Sequence, residues 1–412
     1  MGETKKSTSS SFPMLIVSSF VVILLGILLA SPQPDLKWEE DILPLARQYA
    51  TKNGGSTGYP LDGVKVVITG ATNGIGLGLV KRFTSMGATV IALGRSPTKL
   101  QALQNQIGNT GNKLVTVQVQ LEDLESVQKA SNEISSQFDS IDMLINNAGI
   151  HYSSGNHHHK NGASPTTAQG IDLSYGINYL SHFLLTERFL PLLQNSTHHP
   201  AVIQISSTFH FGADGSELVV DDDKNNDNDN NQEPLPLVAA PGGLKGFYSD
   251  QRAYANSKLA QLLHARALQR RYPNIRFKSI CPCWVGTGIA GRNVYGFFLG
   301  RIAFPHDSFG IKSALVAALD IKAGNDQDYF SNSHWTQAPN VLMPKLFYAP
   351  WVYRHTPVRD AIVQGFAGLL LPMQKFVASV QARQSSPESY NETLQEALYQ
   401  WSYQTVREYL VE

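Results

Sequence analysis

The stretch "VKVVITGATNGIGLGLVKRF", Val64 to Phe83, passes from a β-branched run through a cluster of glycines into a helical pattern without a break. A strand feeding a helix through a glycine-rich turn is the first half of a strand–helix–strand unit. The same alternation continues outward. "ATVIALG" (Ala88–Gly94) precedes a polar helix carrying Leu100, Leu103 and Ile107, and "KLVTVQVQL" precedes one carrying Val127 and Ile134. "IDMLINNAG" ends on Asn146 to Gly149, followed by the long helix "IDLSYGINYLSHFLLTERFLPLL" and the strand "AVIQIS". A helix from about Gln251 to Arg271, stopped by Pro273, leads to the strand "IRFKSICP". Such crossovers are right-handed, so the pattern predicts an α/β, doubly wound parallel sheet covered on both faces.

The rhythm is interrupted once, by "VVDDDKNNDNDNNQEPLP" (Val219–Pro236). A linker separates complete cores, and neither flank completes a sheet alone, so residues 221–235 are an insertion within one domain. Asp221, Asp223, Asn225 and Asp227 have the spacing of a calcium loop, but Asn226 stands where that loop needs glycine. A disordered insertion fits better, since loop closure grows costly only slowly with length. The expected organisation is a stub and apolar anchor (1–31), a linker (32–62), one Rossmann-like domain (63–332), and a helical extension on that domain (333–412).

Charge excludes some partners. The chain has 33 basic and 33 acidic residues, so no net field draws it to nucleic acid. Its 42% hydrophobic content suffices for a large core. Cys281 and Cys283 are too few for a zinc site and too close for a disulfide framework; they read as small apolar fillers. "NHHHKN", around His157 to His159, lacks ligand spacing and reads as a solvated loop, so no metal is expected. Met14 to Ala30 carries no charge and is just long enough to span a bilayer. A cleaved signal peptide is the rival, against which Leu28 is bulky for the −3 position. The expectation is an uncleaved single-pass anchor, with the endoplasmic reticulum as compartment. The flanking Lys5, Lys6, Lys37 and Arg47 do not decide its orientation.

"TGATNGIG" (Thr69–Gly76) has the layout of a phosphate turn: Gly70 for the bend, Gly74 for close approach, Gly76 for helix packing. Glycine-rich turns are common alone; this one sits between a strand and a helix. Arg95 after the second strand, where an NAD enzyme places an acid, can pair with a 2′-phosphate and favours NADP(H) over NAD, unless it is merely solvated. "YANSK" puts Tyr254 and Lys258 one helical turn apart, where an ammonium lowers a phenol's pKa for acid–base work. A Tyr-x-x-x-Lys pair arises easily by chance. Here "ISS" (Ile205–Ser207) places a hydroxyl at the carboxyl end of a strand, and Asn178 lies inside a helix, an awkward place for asparagine unless it is used.

Together these residues resemble the short-chain dehydrogenase/reductase family, and its retinol dehydrogenase group, over about residues 63 to 290. "CPCWVGT", "SALVAALD", "YFSN" and "LYQWS" add to the likeness. The resemblance implies that Tyr254 is the acid/base, Lys258 lowers its pKa and binds ribose, Ser207 polarises a carbonyl, and Asn178 holds a water that links Lys258 to solvent. It implies a cofactor site from Gly70, Thr72, Asn73, Gly74, Ile75, Gly76, Arg95, Gln120, Leu121, Asn147, Ala148 and Gly149. Tyr254, Lys258, Pro282, Val285 and Thr287 complete that site. The substrate would be a small lipophilic alcohol or carbonyl, retinoid-, steroid- or fatty-aldehyde-like, with NADPH as cofactor. A silent nucleotide-binding regulatory protein and a pigment or steroid ring reductase are the alternatives. A homodimer is compatible with the resemblance.

Departures are Asn73 where many NADP-preferring members have a basic residue, Gln120 for the usual Asp, and Cys283 for glycine. The aromatic stretch from Tyr295 to Phe304 corresponds to a substrate lid, or else to a core helix. The apolar run broken by Gln364, Pro372 and Lys375 suits an interfacial or tunnel helix. A final helix is expected from Ser386, with Pro387 first and Leu394, Leu398, Trp401 and Leu410 on one face. Deleting Asp222 to Gln232 is expected to leave carbonyl reduction largely intact in a steady-state assay. A deletion protein that stays folded but inactive would make the insertion part of the substrate entrance.

Overall fold

The computed structural model describes residues 36–52, 58–107, 113–151, 165–219, 236–240, 244, 249–282, 285, 309–321, 328–331, 381–382 and 384–411. The expected anchor, His157 to His159, the 221–235 insertion, the aromatic stretch after Thr287 and the apolar run to 380 lie outside these residues. Among the described residues no helix is long and apolar enough to cross a membrane.

Seven strands run parallel: β1 (Lys65–Thr69), β2 (Thr89–Gly94), β3 (Leu114–Gln118), β4 (Met143–Asn146), β5 (Ala201–Ile205), β6 (Arg276–Cys281) and β7 (Tyr329–Ser331). Their order is β3-β2-β1-β4-β5-β6-β7, and a short β8 (Gln381–Ala382) joins the outer edge antiparallel to β7. The register sets Val66 against both Val90 and Met143. Because the chain winds one way from β1 to β3 and the other way from β4 onward, the carboxyl ends of β1 and β4 part to leave a crevice.

The strands alternate their side chains between two cores. Val67, Ile91 and Leu144 face helices α4 (Leu124–Gln137), α5 (Ser181–Gln194) and α6 (Ser249–Arg271). Val66, Ile68 and Val90 face α2 (Gly74–Ser85), α3 (Pro97–Ile107) and α7 (Lys312–Leu319). Burial on both faces is why these strands are nearly continuous in Val, Ile and Leu. α5 is preceded by a short α segment (Leu173–Tyr175) and a widened π-helical turn (Gly176–Leu180), the kind of local irregularity that often marks functional positions.

Three expectations need correcting. The 32–62 stretch is not a linker throughout: a π turn (Trp38–Ile42) and α1 (Leu43–Lys52) bury Ile42, Ala46 and Tyr49 in the second core. Lys312 Nζ clamps it at 2.6 Å from Asp41 Oδ2, and Arg82 lies 5.1 Å over the Trp38 ring. Glycines at 54 and 55 drew attention to the joint and away from the amphipathic turn before it. Within the extension Gln381–Ala382 is strand, since it pairs with β7. The C-terminal helix is split: Pro387–Tyr390 is a 3₁₀ turn, and Asn391 starts α8 (Glu392–Val406) by accepting the Leu394 N–H at 3.0 Å. Asn391 is the stronger N-cap because its side chain makes that bond, whereas Ser386 makes none. Leu394 and Leu398 are buried, and α8 packs on α6 and α5.

Three buried histidines have a shared consequence. Burial lowers His182 to about 4 and His210 to about 3, and also lowers His264. Each folded pKa lies below the unfolded value of about 6.5, so protons bind the unfolded chain preferentially and stability falls as pH falls from about 6.5 toward 4. His182 and His210 each contribute a slope of about 1.4 kcal/mol per pH unit in that window. Urea midpoints should therefore drop steeply between pH 6.5 and 5, and H182N should flatten the decline. A midpoint constant over that range would contradict neutral burial.

Candidate active site

The glycine turn is built by contacts that leave no room for side chains. Gly70 has φ of +66°, and a Cβ there would meet Ala148 Cα at 3.1 Å. A Cβ on Gly76 would lie 2.3 Å from Gly70 O and 2.6 Å from Asn147 Nδ2, so only glycine lets α2 start against the turn. Asn73 is the N-cap of α2 but makes no side-chain bond to it, and no acidic residue occupies the first turn. Free N–H groups and the positive helix end thus face the crevice.

Thr69 joins this turn to β4. Its hydroxyl accepts from Asn147 N at 2.9 Å and Ala148 N at 3.0 Å, while Asn147 Nδ2 donates to Thr69 O at 2.8 Å. With both lone pairs used, the Thr69 O–H is left to donate to His182 Nε2 at 2.9 Å. His182 Nδ1–H then donates to Asn178 O at 3.0 Å.

Asn178, on the π turn, explains itself. Its Oδ1 accepts from Ile150 N at 2.8 Å and its Nδ2 donates to Ile150 O at 2.9 Å, pairing like a strand neighbour with the chain just past Gly149. Nδ2 also donates to Ser257 Oγ at 3.1 Å. Lys258 Nζ donates to Ile205 O at 2.8 Å and to Gln261 Oε1 at 3.2 Å, and Gln261 Nε2 donates to Asn178 O at 2.9 Å. The Gln261 amide thus connects Lys258 to the Asn178 carbonyl. A Cβ on Gly149 would sit 3.3 Å from Asn178 Oδ1 and 3.6 Å from Lys258 Nζ, so glycine keeps this gap open.

Ser207 and Tyr254 meet from opposite sides. Ser207 follows β5 as the N-cap of a 3₁₀ turn (Thr208–Gly212); its Oγ accepts from Phe209 N at 3.3 Å and lies near enough to Tyr254 to lower its phenol's pKa. Ser206 points elsewhere, its Oγ donating to Lys258 O at 2.9 Å. Lys258 Nζ lies 5.4 Å from the Tyr254 ring centre. The rings of His151 and Phe209 stand 4.9 Å and 5.5 Å from that of Tyr254. Burial pushes the Tyr254 phenol well up, and Ser207 pulls it partly back; burial lowers the Lys258 ammonium to about 7.

Of the other sequence-derived residues, Arg95 is 75% exposed beside Glu122 at 3.5 Å, and Gln120 is exposed with its N–H bonded to Ser126 Oγ at 2.9 Å. Leu121 is buried in the first core, and Thr72 and Ile75 lie in and beside the glycine turn. Pro282 follows β6 and Val285 is half-buried; Thr287 and Cys283 lie outside the described residues. Cys281 is buried beside Leu262 and Tyr329, as a filler would be. Among the described residues no group of three or more metal-binding side chains occurs. Thr69, His182, Gln261, His151 and Phe209 were missed. Only Gln261, one turn beyond Lys258 on the same helix face, carried a usable signal.

The short chain dehydrogenase family model matches residues 64–214. Mouse retinol dehydrogenase 14 is 28% identical over 272 residues, covering 63% of this chain and 71% of its own. Human retinol dehydrogenase 11 is 26% identical over 312 residues, covering 72% and 86%, and human polyprenol dehydrogenase 28% over 209 residues, covering 50% and 54%. A crystal structure of an uncharacterized protein from Mycobacterium paratuberculosis shares the fold, with a TM-score of 0.53 at 21% identity over 84% of this chain and 94% of that one. Over the matched residues the chain is similar to the short-chain dehydrogenase/reductase family, and its relatives include several retinol dehydrogenases.

These relatives support oxidoreduction of alcohol and carbonyl groups, on a fold that binds a nicotinamide cofactor. The residues present fit that group: the Gly70–Gly76 turn offers N–H donors to a pyrophosphate, and Gly149 leaves space beside Lys258. Gly76→Ala is expected to weaken NADPH binding roughly thirtyfold, about 2 kcal/mol, because the added carbon collides with backbone oxygen. Fluorescence titration with NADPH measures it; unchanged affinity would disprove the tight packing of the turn.

Proposed function

We propose that the protein prefers NADP(H) and interconverts a lipophilic alcohol with its aldehyde or ketone. The reading rests chiefly on the grouping of Asn178, Ser207, Tyr254 and Lys258 at the carboxyl edge of the sheet, beside the glycine turn, with Asn178 tied to Tyr254 through Ser257 and to Lys258 through Gln261. In this reading Ser207 donates a hydrogen bond to the substrate oxygen and Tyr254 delivers the proton in reduction. The cofactor supplies the hydride that moves to or from the substrate carbon.

The electrostatics suit this division of labour. Burial keeps the Tyr254 phenol protonated at neutral pH, as a proton donor must be. Alcohol oxidation needs the phenolate, which the nearby Lys258 ammonium favours. Raising the pH removes the Tyr254 proton, so reduction should slow and oxidation should speed up.

Arg95 supports the NADP(H) preference. Its contact with Glu122 is a surface pair worth about 0–1 kcal/mol, little to surrender for a bidentate bond to a 2′-phosphate. A lipophilic substrate is supported by the Phe209 and His151 rings around Tyr254, by the aromatic stretch from Tyr295 to Phe304, and by the lipid alcohols that name the retinol and polyprenol dehydrogenases. The Met14 to Ala30 run would anchor the enzyme to a membrane where such substrates dissolve.

Purified protein should oxidise NADPH with at least one of retinal, a steroid ketone or a long-chain aldehyde. Tyr254→Phe should lower kcat roughly 10²–10⁴-fold, the usual range for losing a general acid. Full activity in Tyr254→Phe would overturn the mechanism, and tight NADPH binding without turnover on any of the three would favour a silent nucleotide binder. Arg95→Glu should raise the KM for NADPH about tenfold or more, while that for NADH changes little. Equal effects on both cofactors would remove Arg95 as the discriminator.

A further inference from the structure

We propose that His210 is a positioning residue for Ser207, bracing it against the C-terminal segment through the backbone of Ser386. This rests on the role of Ser207 proposed above. His210 is wholly buried and lies in the 3₁₀ turn that begins immediately after Ser207. Its Nδ1 is 2.6 Å from Ser207 O, and its own N–H donates to that oxygen at 3.1 Å. On the other edge of the ring, Nε2 is 3.1 Å from the backbone N of Ser386, more than 170 residues along the chain. A carbonyl only accepts and a peptide N–H only donates, so one protonation state satisfies both: neutral imidazole with its proton on Nδ1. The ring is held in place by Tyr329, edge-on at 5.1 Å, and by Phe211 at 4.2 Å.

The far end of the brace is itself anchored. Arg266 on α6 donates to Ser385 Oγ at 2.8 Å and to Asp328 Oδ1 at 3.0 Å, with the Tyr390 ring 3.5 Å from its guanidinium carbon. Segment 385–390 therefore links the turn that carries Ser207 to the helix that carries Tyr254. The bond from Ser206 N to Ile280 O, at 2.8 Å, is the last that ties this strand to β6. Ser207 itself lies beyond the ladder, and the paired bonds of its carbonyl to His210 set where its hydroxyl points. A reaction in which one oxygen is bonded by both Ser207 and Tyr254 is sensitive to that placement, since small misalignments at reacting groups cost rate steeply.

Two variants cut the brace at different ends. His210→Phe keeps the ring and removes both nitrogens. Ser386→Pro removes the N–H together with a hydroxyl that makes no hydrogen bond among the described residues, and Ser386 already has φ of −60° and ψ of 147°, which proline accepts. Each would be made in the full-length protein and in a Ser207→Ala background, and assayed for NADPH-dependent reduction of retinal or decanal, whichever the wild type reduces faster. The expected result is a kcat about tenfold or more below wild type, a KM for NADPH within about twofold, and no further loss in the Ser207→Ala background. Wild-type kcat in Ser386→Pro, or an undiminished loss on top of Ser207→Ala, would overturn the brace while leaving the proposed reaction standing. If the wild type reduces neither aldehyde and no steroid ketone either, it is the proposed reaction that fails. The brace is then tested by ¹⁵N-histidine NMR, which should show His210 neutral with its proton on Nδ1 at pH 7, a state that Ser386→Pro perturbs. A proton on Nε2, or an imidazolium, would refute the brace whatever the activity.

Discussion

A buried chain of hydrogen bonds holds the site together. It runs from Lys258 Nζ through the Gln261 amide to the carbonyl of Asn178, then through His182 to Thr69, and from Thr69 to the backbone of Asn147 and Ala148. Every group in it is buried or nearly so, and an unpaired buried donor or acceptor costs about 1–3 kcal/mol. Each member therefore holds its neighbours in one arrangement. The network passes through four elements, β1, β4, α5 with its π turn, and α6, that the chain reaches at very different points along its length.

The same burial shapes the chemistry. Removing water raises the Tyr254 phenol and lowers the Lys258 ammonium, so burial disfavours the charged form of each. The glycine turn contributes in a complementary manner: the backbone approach at Gly76 leaves α2 with an uncovered positive end, and only the absence of a Cβ allows it.

Much of this was legible beforehand. Alternating β-branched and helical segments revealed the winding of the sheet, since periodicity follows directly from which faces are buried. The grouping of Asn178, Ser207, Tyr254 and Lys258 could be anticipated from their places at strand ends and on helix faces. α1 was hidden because a short amphipathic helix beside a glycine-rich joint resembles a linker until its partner surface is known. The start of α8 was misjudged because Ser386 and Asn391 are both plausible caps, and a hydrogen bond to the Leu394 N–H distinguishes them.

By itself, the sequence determined the order of strands and helices, the glycine turn, and the residue types brought to the sheet's carboxyl edge, because these depend on local geometry and on short spacings. Tertiary structure decided the partners. That Gln261 joins Lys258 to Asn178, that Ser206 bonds the Lys258 carbonyl while Ser207 faces Tyr254, and that His210 reaches Ser386 all depend on distances between segments far apart in the chain. Such contacts leave no periodic trace, since a single buried polar side chain is satisfied by whichever group packing happens to bring within about 3 Å.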